Sequence, residues 1–185
     1  MLQIIKPCKE YLDSYYEACV ESRGHLHDNY IMHDPEKYDE WKDCIFEIYQ
    51  KNEKGIDLPN GFIPSTTRWI VEDGEYIGTL NVRQKTTSVL MEWGGTVGIA
   101  IRYGKRGKGY AARAFEEFRK QKDLKDYIVD DFLVATVEQK NLPSINTLRV
   151  WKESIKKEET YVTKVNGVDS EVYRALIDKD ELFYV

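Results

Sequence analysis

The chain has 185 residues, 42% of them hydrophobic and 12% aromatic, with 27 Lys and Arg against 32 Asp and Glu. That much apolar side chain fills the core of one compact domain and excludes a disordered chain. A net charge of -5 leaves no broad basic face for phosphate contacts, so nucleic acid is not an expected partner. Apolar runs such as Leu133–Ala135 fall far short of the ~18 residues of a membrane span, and no membrane association is expected. Met1–Glu21 shows no basic start followed by an apolar stretch, so no secretory leader is expected. Cys8, Cys19 and Cys44 form an odd set without CxxC spacing and read as free thiols of a cytoplasmic, reducing compartment.

Taken in chain order, Leu2–Ile5 reads as a short opening strand. A helix starting near Lys9 carries Tyr11, Leu12, Tyr15, Tyr16, Cys19 and Val20 at helical spacing. Residues 25–34 form a loop closed by Pro35, a residue suited to a first helical position. Tyr38, Trp41, Cys44, Ile45, Ile48 and Tyr49 make a second apolar stripe, more naturally core than ligand platform. Gly55–Pro64 is a loop by composition. Thr66–Glu72 and Glu75–Arg83 flank Asp73-Gly74, a strong hairpin signal. A loop through Met91–Gly95 leads to a strand over Thr96–Arg102. Lys108–Asp123 reads as one helix burying Ala111, Ala114, Phe115 and Phe118. Ile128–Val137 reads as a strand, nearly continuously apolar after Asp131, and suits a sheet interior covered on both faces. Ser144–Glu153 is a helix opened by Pro143, and Glu159–Val165 and Ser170–Ile177 flank a second hairpin at Asn166-Gly167. The expected architecture is α/β of the α+β kind. It is a single domain over 1–185, with a mixed, mostly antiparallel sheet of six to seven strands and helices on both faces.

Chemistry concentrates in Val97–Ala112, VGIAIRYGKRGKGYAA. An apolar strand runs into a turn with three glycines, and the turn opens an amphipathic helix. Glycines admit positive φ and close approach to backbone amides. The first helical turn offers unpaired N–H groups and a partial positive charge that suit phosphate oxygens. Lys105, Arg106 and Lys108 reverse the local charge of an acidic chain and point to an anionic ligand; a plain surface turn is the bland alternative. Gly107 to Ala112 satisfies the dinucleotide pattern GxGxxA, but a β-meander precedes it where a Rossmann unit requires its first strand. A P-loop fails as well, because Gly109 is followed by Tyr110-Ala111 rather than Lys and Ser or Thr.

Arg106-Gly107-Lys108-Gly109-Tyr110-Ala111 resembles R/QxxGxG/A, the acyl-CoA pyrophosphate loop of the GCN5-related N-acetyltransferase (GNAT) superfamily. The resemblance covers roughly residues 63–151, including the Asp73-Gly74 hairpin, the VGIAIR strand and the Asn141-Leu-Pro-Ser144 helix start. GFIPSTTRWIVEDGEYIGTL, with GGTVGIAIR downstream, looks like a branch of predicted acetyltransferases within it. The resemblance implies a fold in which the acyl-pantetheine arm pairs with strand backbone from Ile99 through Ala100 to Ile101. Small Gly98 and Ala100 would leave space for the arm. Arg106 and the backbone from Gly107 through Lys108, Gly109, Tyr110 and Ala111 to Ala112 would hold the pyrophosphate. Asn141 would hydrogen-bond the pantetheine amides, and Ser144 would sit near the arm or cap the following helix.

The implied reaction is acetyl transfer from acetyl-CoA, as cosubstrate and without a metal, to a primary amine. An amine nucleophile must lose a proton, and the thioester oxygen needs a donor as it gains charge. The sequence departs from the family here. Gly94-Gly95 stands where many relatives carry Glu, and Leu148 stands at a position that is often Tyr. Trp151-Lys152-Glu153 replaces the usual Gly-Phe after the helix. Glu92 is the nearest carboxylate and is the expected general base, with Glu138 as a second. Tyr161 and Tyr173 are alternative acids. A catalytically inactive module that binds acyl-CoA or a protein partner is the competing expectation. Expected partners are a small-molecule or peptide amine, favoured to be cationic by the acidic chain, with a homodimer as an option. His25, His27, Asp28, His33 and Asp34 have ligand chemistry but lie in a polar loop without a matching cysteine, so no metal is expected.

Overall fold

The computed structural model describes residues 1–23, 25 and 33–183. The chain forms two compact units, Met1–Asn81 with Ile99–Ala114, and Val82–Gly98 with Phe115–Val185.

The first unit is built on strands β1 (Gln3–Ile5), β2 (Ser65–Glu72), β3 (Glu75–Arg83) and β4 (Val97–Ile101), which neighbour one another in that order. β1 runs antiparallel to β2, with Ile4 opposite Ile70. Asp73 and Gly74 close the β2–β3 hairpin with φ of 51° and 81°, the paired positive values that the sequence signal demands. Helices α1 (Leu12–Glu21), α2 (Tyr38–Trp41) and α3 (Ile45–Lys54) contribute to the core with Leu12, Tyr15, Ala18, Cys19, Trp41 and Ile45. Tyr15 is its centre: it stacks on Trp69 at 4.7 Å and meets Tyr76 edge-on at 5.0 Å. Such pairs add about 0.5–1.5 kcal/mol beyond their buried area. Helical spacing found most of this stripe. Val20 is instead exposed while Ala18 is buried, and the second stripe breaks between Trp41 and Ile45 into two helices.

The second unit carries a sheet of β5 (Phe132–Glu138), β7 (Val168–Asp178) and β6 (Ile155–Val165), with β7 central. Both pairings are antiparallel, and Asn166-Gly167 closes the β6–β7 hairpin. Leu133, Val134 and Ala135 are consecutive buried residues, as a strand covered on both faces requires. The expected helix over 108–123 is two helices, α5 (Tyr110–Phe118) and α6 (Lys122–Tyr127). The stripe through Ala114 and Phe118 would continue to polar Gln121 and Lys122, whereas fully buried Leu124 lies off that phase. The break re-aims it. Residues read as loop before Gly94 include a short helix α4 (Ser88–Glu92), capped by the Thr87 side chain. Helix α7 (Leu142–Leu148) begins two residues earlier than expected and passes into a 3-10 turn over Arg149–Ser154. There Trp151 stacks on Phe115 at 4.0 Å and its indole N–H donates to the Phe115 carbonyl at 3.1 Å.

Candidate acyl-CoA site

β4 is the outer strand of its sheet. The Arg102 N–H donates to the Ile77 carbonyl at 2.8 Å, and the Arg83 N–H donates to the Thr96 carbonyl at 2.8 Å. These two bonds fix the alternation of the β3–β4 pair, and it turns the backbone groups of Ile99 and Ile101 away from β3. The Ile101 carbonyl already accepts from Arg106 Nε at 3.0 Å. A Cβ added to Gly98 would meet nothing within 4 Å.

After β4 the chain makes a 3-10 turn over Tyr103–Lys105 and then an exposed run, Arg106 to Gly109. Gly107 and Gly109 have φ of 70° and 77°, where a side chain is strained, yet a Cβ at either would enter open space. The constraint is therefore conformational rather than steric. Among the described residues, no backbone N–H from Gly107 to Ala112 has a backbone acceptor; the first to find one is that of Arg113, which donates to the Gly109 carbonyl at 3.1 Å. The basic side chains are partly used within the loop. Lys108 Nζ donates to the Gly104 carbonyl at 3.0 Å, Lys105 pairs with Glu75, and the Arg106 guanidinium lies 5.4 Å from the Tyr103 ring centre. Amides without backbone acceptors among the described residues, with local cations beside them, fit an anion with several oxygens, as a pyrophosphate is.

The second unit holds Asn141, Ser144 and Glu92. Asn141 is the N-cap of α7, and its Oδ1 accepts from the Ser144 N–H at 3.3 Å. Capping thus falls to Asn141, and Ser144 receives it. Asn141 makes no hydrogen bond through Nδ2 among the described residues, which leaves that amide a donor. Glu92 ends α4 on the surface; its carboxylate accepts from the Thr163 hydroxyl, and its carbonyl accepts from Tyr161 Oη at 2.5 Å. Arg174 donates to the Met91 carbonyl at 2.6 Å and lies 4.7 Å from the Tyr161 ring centre. Burial is the main cause that raises the Tyr161 and Tyr173 phenols, and Tyr173 also donates to Glu158. Glu138 pairs with Lys140 at 2.9 Å.

Gly94-Gly95 is locked in place. Both carbonyls accept from the Arg83 guanidinium at 3.0 Å, and the Gly94 N–H donates to Thr136 Oγ1 at 2.9 Å. Gly95 has φ 58°, and a Cβ there would stand 2.5 Å from the Val134 carbonyl oxygen. A Glu cannot occupy this position in the present backbone. The neighbouring Thr96 N–H donates to the same carbonyl at 2.7 Å.

Other sequence features resolve differently. His27 and Asp28 lie outside the described residues. His33 Nδ1 shares a 2.8 Å hydrogen bond with Tyr15 Oη, and Asp34 caps a turn by accepting from the Glu36 N–H at 3.0 Å. No group of three His, Cys, Asp or Glu able to hold a metal occurs among the described residues. The three cysteines are free thiols, and burial pushes the Cys19 thiol up to about 11, out of nucleophile range at neutral pH. No helix of the described residues is long and apolar enough to cross a membrane. What sequence reading missed is the surroundings of Arg102, a buried arginine joined to α1. Its place at the end of an apolar strand is a local signal, but its partners are 81 and more residues away.

Solved structures provide the comparison. The microcin self-immunity acetyltransferase MccE, bound to acetyl-CoA and AMP, superposes with a TM-score of 0.62 at 13% identity, over 96% of this chain and 92% of its own. RimJ of Mycobacterium smegmatis, in complex with a CoA disulfide, gives 0.64 at 16% identity over 98% and 83%. The chain has the acetyltransferase fold. A chimera of the Vibrio cholerae spermidine N-acetyltransferase SpeG matches over 100% of this chain and 99% of its own, with a TM-score of 0.59 and 14% identity. At such identities the likeness is one of fold. No family model and no curated protein sequence matches the chain.

Proposed function

We propose that the chain is an acetyl-CoA-dependent N-acetyltransferase acting on a primary amine, with 1–185 as one acyl-CoA domain. The observation that carries this reading is the Gly107–Ala112 turn, whose amides lack backbone acceptors among the described residues and face open space on the fold of the acetyltransferases. Arg106 and the amides from Gly107 to Ala112 would hold the pyrophosphate, the outward backbone of Ile99 and Ile101 the pantetheine amides, and Asn141 Nδ2 a further carbonyl. Acetyl-CoA supplies an acetyl group already activated as a thioester. Backbone N–H groups of the β4 edge are suited to stabilise the oxygen that gains charge as the amine adds. Glu92 is the proposed base, taking the proton that the amine must lose; an amine near pKa ~10.4 is mostly protonated at neutral pH. Tyr161 is the proposed acid. The net charge of -5 favours a cationic acceptor, either a small amine or a peptide amine.

A second reading is supported by the locked Gly94-Gly95 pair and by the Tyr161 hydroxyl already donating to the Glu92 carbonyl. In it the chain binds acyl-CoA without turning it over. Thiol release from acetyl-CoA over a panel of primary amines separates the two. Release with any amine supports the enzyme; CoA binding with no release from any amine supports the module.

A further inference from the structure

Arg102 closes β4 with only 6% of its surface exposed. Its Nε lies 3.0 Å from both carboxylate oxygens of Glu21, its Nη2 lies 3.3 Å from Glu17, and its Nη1 donates to Ser14 Oγ at 3.2 Å. All three partners belong to α1. The Glu21 carboxylate also accepts the Gly104 N–H at 3.4 Å, and Arg102 holds the carboxyl below the usual range. One turn beyond α1, His25 stacks on Tyr103 at 3.8 Å. α1 therefore holds Arg102 and Gly104, and His25 holds Tyr103 between them, at the entry of the glycine loop.

Arg102 is buried but the Glu21 side chain is 36% exposed, so solvent screens the pair and its attraction adds little stability. What the pair adds is direction. A guanidinium fork on a carboxylate that also takes a backbone amide fixes both position and orientation of the chain it ends. The loop beyond needs this, because the exposed glycines at 107 and 109 have no side chains to pack.

We propose that Glu21 and Arg102 are a positioning pair for the cofactor, holding the loop entry so that the Gly107–Ala112 amides stay convergent for the pyrophosphate. The proposal rests on the pyrophosphate reading of the loop given above. It makes affinity for CoA depend on a carboxylate that does not touch it, and leaves the phosphate-free part of the ligand indifferent to that carboxylate.

The test uses the full chain with Glu21→Gln, titrated with CoA by calorimetry and with pantetheine, which lacks the phosphates, by NMR. The expected result is CoA affinity weakened about 5–20-fold, with pantetheine affinity within twofold of wild type. Unchanged CoA affinity overturns the proposal, and so does an equal loss for both ligands, which marks a general loosening. If Glu21→Gln does not fold, Arg102→Lys keeps the charge but not the fork, and the same split is expected of it. A wild-type chain that binds no CoA refutes the pyrophosphate reading itself, before any substitution is made, and removes the positioning role with it.

Discussion

The loop from Arg106 to Ala112 and the stretch from Met91 to Thr96 are both glycine-bearing segments beside β4, yet they use their backbone groups in opposite ways. In the loop the amides lack backbone acceptors among the described residues, and a Cβ at Gly107 or Gly109 would meet nothing within 4 Å. In the stretch before β4, Gly94 and Gly95 are tied to Arg83, Thr136 is tied to Gly94, and Gly95 is pressed against the Val134 carbonyl. One glycine cluster leaves room for something outside the chain; the other serves the chain's own packing. The same residue type therefore points to a ligand in one place and to architecture in the other, and only the partners distinguish them. The contrast also explains why the proposed cofactor loop reads more clearly than the proposed catalytic residues.

The strongest challenge to this contrast is Glu92→Gln. If Glu92 is the base, acetyl transfer at neutral pH falls by ~10²–10⁴ and partly recovers at high pH, where more of the amine is already neutral. CoA affinity stays unchanged. A wild-type rate and pH profile would leave Met91 to Thr96 purely architectural and assign deprotonation to water, Glu138 or the substrate.

The two glycines can be set against each other directly. Gly95→Ala forces a Cβ towards the Val134 carbonyl at a positive φ and is expected to lower unfolding stability by roughly 3 kcal/mol in chemical denaturation. Gly109→Val strains the backbone at φ 77° but its Cβ meets no neighbour, so the fold survives at a smaller cost than Gly95→Ala, and a branched side chain intrudes where the pyrophosphate approaches. Calorimetry should show CoA binding at least tenfold weaker, about 1.4 kcal/mol. A Gly109→Val chain with wild-type affinity would misplace the cradle.

The smallest expected effect concerns pH. Burial lowers the His33 pKa, so the unfolded chain takes up the imidazole proton before the folded chain does. The stability from the neutral ring is fully present above the unfolded value of ~6.5 and is lost as pH falls through the lower folded value. Melting curves from pH 7.5 to 5 should show this decline, with His33→Gln reducing it by about 2–4 °C. An identical decline in the variant would assign it to other groups.

Much of the fold was legible because its signals are local. Asp73-Gly74 and Asn166-Gly167 specify their turns within two residues, and the Tyr15 stripe follows a single helical period. The break after Phe118 was not legible, since it depends on where Leu124 must be buried. Helix α4 was missed because five residues carry too little periodicity to stand out. At the site, Arg106 to Ala112 announced itself by glycine, charge and position after a strand. Asn141 was picked for a ligand, whereas its visible work is capping α7. The Glu21–Arg102 pair had no sequence signal, because only the fold brings two ordinary charges 81 residues apart into one unit.

The most direct test of the central claim is calorimetric titration of CoA into the intact wild-type chain. The account predicts saturable one-to-one binding that weakens as salt screens the loop cations. Absence of binding at millimolar CoA would contradict it, and would leave the open amides of Gly107 to Ala112 as an exposed turn.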